Sequence, residues 1–385
     1  MKKIIFIELN FSGEVHLNIN ASFVGAHRHA FPNAEIHIIA DASHIDALKN
    51  VLKIENENYL FEHNISLKKI QKTINRSGLN YYLAPFKRLF LIYAKLGTIK
   101  PQMNDRIFFL SNNEFDFFSV YILKKILYTN MDISLVCHGN LNSIYDWQSN
   151  NPIRKFFNYR NSLKRLANTD NKLIVLEQSL KYNLLKEISI LNNNISVIHH
   201  PLLPFNAIKK DSKFPLRIAF VGEINKNKRF DLFEKLAKEL DRVCKNRFTF
   251  DVIGRSRQLD LDCSIYGIKP SKHFLDSKEM ESHIINIDFI CMFQNDTHYR
   301  LSASGVFVDA IRFLKPVIHL NSKIVIDNET RFGELGIGGS NIEEISNKLH
   351  NLTDTDYSNM LTNLERLKSD RSIEATSASL VHIFD

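Results

Sequence analysis

Two segments in the second half of the chain combine residue types that suit a nucleotide. Tyr299–Pro316 reads YRLSASGVFVDAIRFLKP, and its small residues Ser302, Ala303, Ser304 and Gly305 stand just before a helical pattern over Val306–Phe313. A helix N-terminus offers unpaired N–H groups and a partial positive charge, and small side chains let a phosphate approach the backbone. Arg300, just ahead of them, adds a cation. Asp309 follows about one turn into the helix, where a carboxylate cannot hold phosphate but can accept hydrogen bonds from a ribose diol. The second segment, Arg217–Asp231, reads RIAFVGEINKNKRFD: a strand, then Gly222, a basic loop and a helix. Lys226, Lys228 and Arg229 crowd the strand's C-terminal end, the edge at which open α/β sheets bind ligands. Taken singly, each segment also reads as ordinary structure: an N-cap serine with a solvated aspartate, and a solvated run of charge.

The first half offers groups that can move a proton. Ile133–Gly139, ISLVCHG, is a strand ending in His138, whose neutral imidazole can hydrogen-bond a sugar hydroxyl or act as acid or base near pH 7. The loop Asn10–Asn18, NFSGEVHLN, sets Glu14 and His16 beside Gly13 as general-base candidates. A histidine satisfied at a strand end and a solvated loop account for the same residues without chemistry. His199 and His200, in Ile195–Pro201, read as structural.

These residues need a scaffold, and the sequence supplies one. Apolar β-branched runs at Lys3–Leu9, Glu35–Ala40, Arg106–Leu110, Ile133–Cys137, Lys172–Leu176 and Ile195–Ile198 read as buried parallel strands. Helical patterns lie between them, near Ala21–Phe31, His44–Leu52 and Phe115–Leu127, while Glu55–Arg76 shows no clear period. After Pro201–Pro204 the alternation restarts, with strands at Leu216–Val221, Phe248–Ile253, Phe289–Phe293 and Pro316–His319 and a helix at Phe230–Val243. Strand–helix alternation means a parallel sheet covered on both faces, and seeing it twice means two. The predicted class is therefore α/β, with an N-terminal domain over residues 1–203 and a C-terminal domain over 204–385. A chain of 385 residues exceeds one ordinary core, which agrees. The polar helical end, Ile342–Asp385, is left free to pack on either domain.

Composition narrows the function classes. The four cysteines, Cys137, Cys244, Cys263 and Cys291, form no CxxC pair and no zinc-finger spacing, so they read as reduced thiols of a cytosolic protein. The opening MKKIIFIELN is too short an apolar run for a signal peptide, and no stretch reaches the ~18 apolar residues that span a bilayer. Residues 1–200 hold 24 basic and 16 acidic residues, while 201–385 hold 26 of each, so the whole excess of +8 sits in the first half. A one-sided basic domain suits an acidic partner: anionic lipid, a phosphorylated acceptor or nucleic acid.

The motifs together resemble the donor domain of GT-B glycosyltransferases, particularly the retaining group called glycosyltransferase family four. VGEINKNKR matches that family's Gly-Arg-Leu…Lys-Gly loop at Gly222 and Lys228, and FDVIGRS matches its Val-Gly-x-Gly strand end at Gly254. Asp309–Ala310 fits its Glu-Ala, and Lys315–Ile318 fits its Lys-Pro-Val-Ile. Two positions depart: Glu223 stands where the family has arginine, and Leu301 where it has the first glutamate of Glu-x7-Glu. The Ser302–Gly305 loop looks instead like GT-B relatives in bacterial polysaccharide assembly. The resemblance implies two Rossmann-like, doubly wound domains facing an interdomain cleft. It implies a nucleotide sugar bound by Gly13, Gly222, Lys226, Lys228, Arg229, Gly254, Arg300, Ser302, Ser304, Gly305 and Asp309. The family also places a histidine near the donor sugar, where His138 stands.

The expected activity is glycosyl transfer from a nucleotide-sugar donor, without cofactor or metal, to a glycan or lipid-linked acceptor of bacterial surface polysaccharide. Residues 81–100 and 154–165 mix basic and aromatic residues, with Lys87, Arg88, Lys95 and Lys100 in the first, and could meet an anionic membrane surface. The expected location is cytoplasmic, peripheral to the membrane's inner face. Two other readings stay open. A GT-B sugar-nucleotide epimerase would need acid–base carboxylates near the sugar. A nucleic-acid-binding protein would need a recognised basic module, and none appears.

Overall fold

The structure is a computed structural model that describes residues 3–53, 59–63, 79–128, 130–145, 151–206, 214–256, 264–294 and 299–384. The chain forms two compact units. One comprises Met1–Leu203, Arg300–Ala303 and Ile373–Asp385, and the other Pro204–Tyr299 and Ser304–Ser372.

The first unit is built on a parallel sheet of seven strands: β1 (Lys3–Ile7), β2 (Glu35–Ala40), β3 (Tyr59–His63), β4 (Arg106–Phe109), β5 (Asp132–Cys137), β6 (Lys172–Val175) and β7 (Ile195–Val197). Their order is β3-β2-β1-β4-β5-β6-β7. Successive side chains of β1 enter opposite layers, as the pleat requires. Ile4 and Phe6 join Phe23, Val24, Ile45 and Leu48 on one side, while Ile5 and Ile7 join Leu96, Phe117, Leu163 and Leu180 on the other. Both faces are dry, which is why the strands read as unbroken apolar runs. β3 falls inside the stretch without period. Its pairing with β2, from Ile36–Tyr59 to Ala40–His63, comes from a neighbour and not from a local pattern.

Two helices of this unit refine the sequence reading. The helix expected over Phe115–Leu127 runs Glu114–Ile122 under a capping box from Asn113 and Asp116, then ends in a π-helical turn, Leu123–Leu127. Helix Leu79–Ile99 covers the basic stretch 81–100, but Arg88 does not face outward: it is 1 % exposed and ion-paired to Asp116. The charge is drawn inward because a buried carboxylate waits for it.

The last helix, Ile373–Phe384, belongs to the first unit, not to the C-terminal one. Ser377 Oγ donates to the Ala26 carbonyl at 2.9 Å, and Lys172 Nζ to that of Ile383 at 3.0 Å. Phe384 packs against Phe108 and lies under Arg106 and Lys172.

The second unit holds five parallel strands, β8 (Leu216–Val221), β9 (Phe248–Ile253), β10 (Phe289–Met292), β11 (Val317–His319) and β12 (Gly336–Gly338), in the order β12-β11-β10-β8-β9. β12 was not foreseen, since Gly-Ile-Gly carries no strand signal. Phe220, Phe230, Phe233 and Tyr266 interlock as rings between sheet and helix Phe230–Val243. Chain order reverses between β1 and β4 in the first sheet and between β8 and β10 in the second. Such switch points open a crevice at the carboxyl ends of the strands. Cys137, Cys244 and Cys291 are free thiols, and Cys263 lies outside the described residues. Among the described residues no helix is long and apolar enough to cross a membrane.

His27 makes the first core pH-sensitive. It is fully buried, 4.4 Å from the Phe108 ring, with Nδ1 donating to the Phe23 carbonyl at 2.8 Å. Burial pulls its pKa down to about 3. An unfolded chain protonates histidine near ~6.5, so below that pH the unfolded state binds more protons and stability falls with pH. At pH 5 the loss is about 2 kcal/mol from this one group. The fall in melting temperature between pH 7 and pH 5 is expected to shrink in His27→Leu, and an undiminished fall would remove His27 as its source.

Candidate active site

At the carboxyl ends of β1, β4 and β5 the first unit assembles a buried polar cluster. Glu8 accepts hydrogen bonds from the Asn10 amide at 2.8 Å, the Phe11 amide at 3.2 Å, Asn20 Nδ2 at 3.1 Å and the Ser111 hydroxyl. Burial raises its pKa above the usual carboxylate range against the pull of these donors. Asn10 donates to Ser111 Oγ at 3.0 Å and Asp116 Oδ2 at 2.9 Å, and accepts from Asn113 at 2.8 Å and Arg88 Nη2 at 3.0 Å. Arg88 meets Asp116 Oδ1 through Nε at 2.8 Å and Nη2 at 2.7 Å. Gly13 is held from both sides: its N–H donates to Ser43 Oγ at 3.0 Å, and its carbonyl accepts from His44 Nδ1 at 2.7 Å.

A histidine pair stands on this cluster. His138 Nε2 lies 2.9 Å from the Leu110 carbonyl, which can only accept, so Nε2 carries the proton of a neutral His138. His138 Nδ1 is then an acceptor, and His16 Nδ1, 3.0 Å away, must be the donor. That tautomer leaves His16 Nε2 with a lone pair and no hydrogen bond among the described residues. Phe11 stacks on the His16 ring at 3.9 Å. Burial holds His16 down to about 3, helped by His138, and holds His138 down to about 4, helped by His200. Both imidazoles are therefore neutral at neutral pH. His138 has both nitrogens engaged, so of this pair His16 presents the nitrogen that a ligand can use. Glu14 is exposed on the same loop.

Arg300 and Ser302, expected with the nucleotide loops of the second unit, pack in the first. The reason is Leu301, fully buried in the core around Leu141 and Ile144. Its amide donates to Asn142 Oδ1 at 3.0 Å. Arg300 lies 3.6 Å from Glu187, and its carbonyl accepts from Asn183 at 2.8 Å. Ser302 sits beside Gly139.

In the second unit, charge gathers after β8 and β10. Lys228 ends a 3-10 turn that Asn225 caps, and its Nζ folds back over Gly222 to donate to the Val221 carbonyl at 3.3 Å. Two of its three protons remain without a hydrogen bond among the described residues. Burial lowers its pKa, while Asp309 and then Glu223 support the charge. Burial also holds the Asp309 carboxyl up at about 6, with Arg312 and Lys228 pulling it back. Asp309 makes no side-chain hydrogen bond among the described residues. Ser304 caps helix Gly305–Arg312 and donates to Gln294 Oε1 at 2.9 Å, so its hydroxyl is occupied. The amides of Gly305 and Val306 have no intrahelical partner. Arg229 pairs with Asp231 at 3.1 Å, and Lys226 is exposed. Glu223, at the family's arginine position, pairs with Arg255 at 2.8 Å.

Sequence reasoning missed Glu8, Asn10, Arg88, Ser111, Asp116 and His44. Glu8 and Asn10 did leave a signal, since they interrupt an apolar run where a strand ends. Asn113 and Asp116 stand at N-cap and N3 spacing. Arg88 left none, being one cation among several on an aromatic helix.

Gly222 and Gly254 set the second site. A Cβ on Gly222, at φ +104°, would lie 2.0 Å from Lys228 Nζ, a movable group. One on Gly254, at φ +149°, would lie 2.2 Å from the Gly222 carbonyl oxygen, which is backbone. Gly222→Ala is expected to displace Lys228 and cost roughly 1–2 kcal/mol. Gly254→Ala is expected to lower the melting temperature further, and equal melting of the two variants would refute this ordering.

No family model and no curated protein matches the sequence. Solved structures do. A variant of S. aureus TarM in complex with fondaparinux, alpha-GlcNAc-glycerol and UDP is 13 % identical, with TM-score 0.61 over 100 % of each chain. The trehalose-6-phosphate synthase OtsA is 10 % identical, with TM-score 0.64 over 100 % of this chain and 99 % of that one. WaaG, a glycosyltransferase involved in lipopolysaccharide biosynthesis, is 9 % identical, with TM-score 0.55 over 99 % of each. At such identities the likeness shows the fold, and with two parallel-sheet α/β units the chain has the GT-B fold.

Proposed function

We propose that this protein is a glycosyltransferase that moves a sugar from a nucleotide-sugar donor to a glycan or lipid-linked acceptor of bacterial surface polysaccharide. The observation that carries this reading is Lys228 with Asp309, two half-buried groups of opposite charge whose hydrogen-bonding capacity is largely unspent, at the switch point of the second sheet. Lys228 and the Gly305 and Val306 amides take the diphosphate, and Asp309 takes the ribose diol. Negative charge that develops on the leaving diphosphate meets donors already in place, the arrangement that stabilises such transition states. These groups supply the positive charge that a divalent metal would otherwise bring. His16 Nε2 accepts a hydrogen bond from the acceptor hydroxyl and orients it, a pKa near 3 making it a weak base, and His138 acts through it as a positioning residue. Glu14 remains a second candidate base, on an exposed loop. The GT-B likeness to TarM, whose structure holds UDP, and to WaaG supports the reading. The proposed location is cytoplasmic, at the inner face of the membrane.

A thermal-shift screen with UDP, GDP, CMP and dTDP tests the donor half. One nucleotide is expected to raise the melting temperature, and Asp309→Ala to weaken it at least about tenfold, as for loss of a charged hydrogen-bond acceptor. No shift with any nucleotide at millimolar concentration would sink the reading. Product analysis after incubation with UDP-N-acetylglucosamine alone would expose an epimerase.

His16→Ala is expected to retain nucleotide binding and lose transfer about 10²–10⁴-fold, and chelation with EDTA to leave transfer unchanged. Full transfer by His16→Ala would shift the acceptor-side role to Glu14.

A further inference from the structure

Helix Leu79–Ile99 has two unlike faces. Ala84, Arg88, Ile92, Leu96 and Ile99 are buried in the first unit. On the opposite side Leu83, Phe86, Phe90 and Tyr93 are 41, 54, 72 and 47 % exposed. Spacings of three, four and three residues place these four on one stripe. A surface helix ordinarily carries charge there, so a continuous apolar stripe marks a contact surface. The stripe does not end with the helix. Phe86 meets the Phe118 ring at 5.6 Å, and Phe118 meets Phe156 at 6.1 Å. Phe156, on helix Pro152–Phe157, is itself 46 % exposed.

The charge on the segments that carry the stripe has one sign. No aspartate or glutamate occurs in residues 79–104, 117–131 or 151–169. The same segments expose Lys87, Lys125, Lys155 and Lys164. A second copy of this face would bring lysines against lysines, which disfavours self-association. An anionic bilayer supplies what the surface lacks: negative headgroups for the lysines and an interfacial layer for the rings.

We propose that the face formed by Leu83, Phe86, Phe90, Tyr93 and Phe156 seats the first unit on an anionic lipid bilayer. The stripe lies in the interface plane, and the flanking lysines lie at headgroup level. Through Arg88, the inner side of the same helix braces Asn10 at the start of the loop that carries His16. Seating therefore holds the acceptor-side loop next to the surface on which a lipid-linked acceptor resides. That last consequence rests on the proposed glycosyl transfer, while the docking itself does not.

Co-sedimentation of the full chain with vesicles tests it. The protein is expected to pellet with phosphatidylglycerol-containing vesicles, to stay in solution with pure phosphatidylcholine, and to be released by high salt. Phe86→Ser with Phe90→Ser is expected to lower partitioning about tenfold or more. Both rings are more than half exposed, so the melting temperature should fall only slightly, by the lost Phe86–Phe118 contact, and any nucleotide-induced shift should be unchanged. Lys87→Glu with Lys155→Glu should weaken binding to the anionic vesicles alone. Wild-type protein that ignores anionic vesicles, or a double phenylalanine variant that pellets like wild type, overturns the proposal. So does a variant whose only change is conversion of a dimer to a monomer. Vesicle binding by a protein that no nucleotide stabilises would leave the lipid surface standing and bring down the donor reading alone.

Discussion

The first unit's site depends on one wholly buried ion pair, Arg88 with Asp116. Taking two charges out of water costs several kcal/mol each, and their attraction repays it only if every remaining donor and acceptor is satisfied. Asp116 meets that condition. Oδ1 takes both Arg88 contacts, and Oδ2 accepts from Asn10 and from the Asn113 amide. Removing one partner would strand a charge, at roughly 3–5 kcal/mol, whereas an apolar pair of the same volume would serve stability as well or better. What the pair adds is position. It ties helix Leu79–Ile99 to helix Glu114–Ile122 and, through Asn10, to the loop after β1. Glu8 fastens the other side of that loop, and His44 and Ser43 fasten Gly13. By the time the chain reaches His16, most of its preceding loop is fixed.

The second unit solves a similar problem by the opposite means. Its two loops are held by backbone proximity: the Gly222 carbonyl fills the space a Cβ on Gly254 would need, and the Gly222 amide donates to the Ile253 carbonyl at 2.8 Å. Glu223 pairs with Arg255 and Arg229 with Asp231, but no such pair consumes Lys228 or Asp309. Lys228 spends one proton on Val221, and Asp309 spends nothing on a hydrogen bond among the described residues. The first site is internally complete and presents one lone pair. The second is incomplete by two donors and one carboxylate. A preformed scaffold with unmet polar valence is how a binding site differs from a core, because an unpaired half-buried polar group gains most when a ligand supplies its partner.

This difference also decides what was legible in the sequence. The sheets were legible, because a strand covered on both faces must be apolar throughout, and the runs from Lys3 and Leu216 say so locally. The geometry of the second candidate site was legible in part, because its glycines, Lys228 and Asp309 occupy fixed offsets from a strand or a helix start. Asp116 pairs with a residue 28 positions away, Glu223 with one 32 away, and neither distance leaves a local trace. Leu301 shows the same limit from another side. Next to two serines and a glycine it reads as part of a phosphate loop. Yet one leucine that finds a fully apolar setting gains more than short polar neighbours can offer, and it draws Arg300 and Ser302 along with it.

On the proposed reading, the departures from the family-four pattern have a single electrostatic consequence. Leu301 lies in the first unit's core and brings no carboxylate, and in the second unit Glu223 and Arg255 cancel each other. The half-buried charges left there to answer a ligand are Lys228 and Asp309, and burial disfavours both ionised forms. Each now stabilises the other. A diphosphate placed beside Lys228 strengthens the ammonium but turns the field against the Asp309 carboxylate, whose pKa already stands near 6. Inorganic pyrophosphate would leave that penalty unanswered. A nucleoside diphosphate answers it, since the ribose diol donates to the carboxylate while the phosphates engage the lysine. Selectivity for a nucleotide over a bare diphosphate then follows from the pair itself, before any contact with the base.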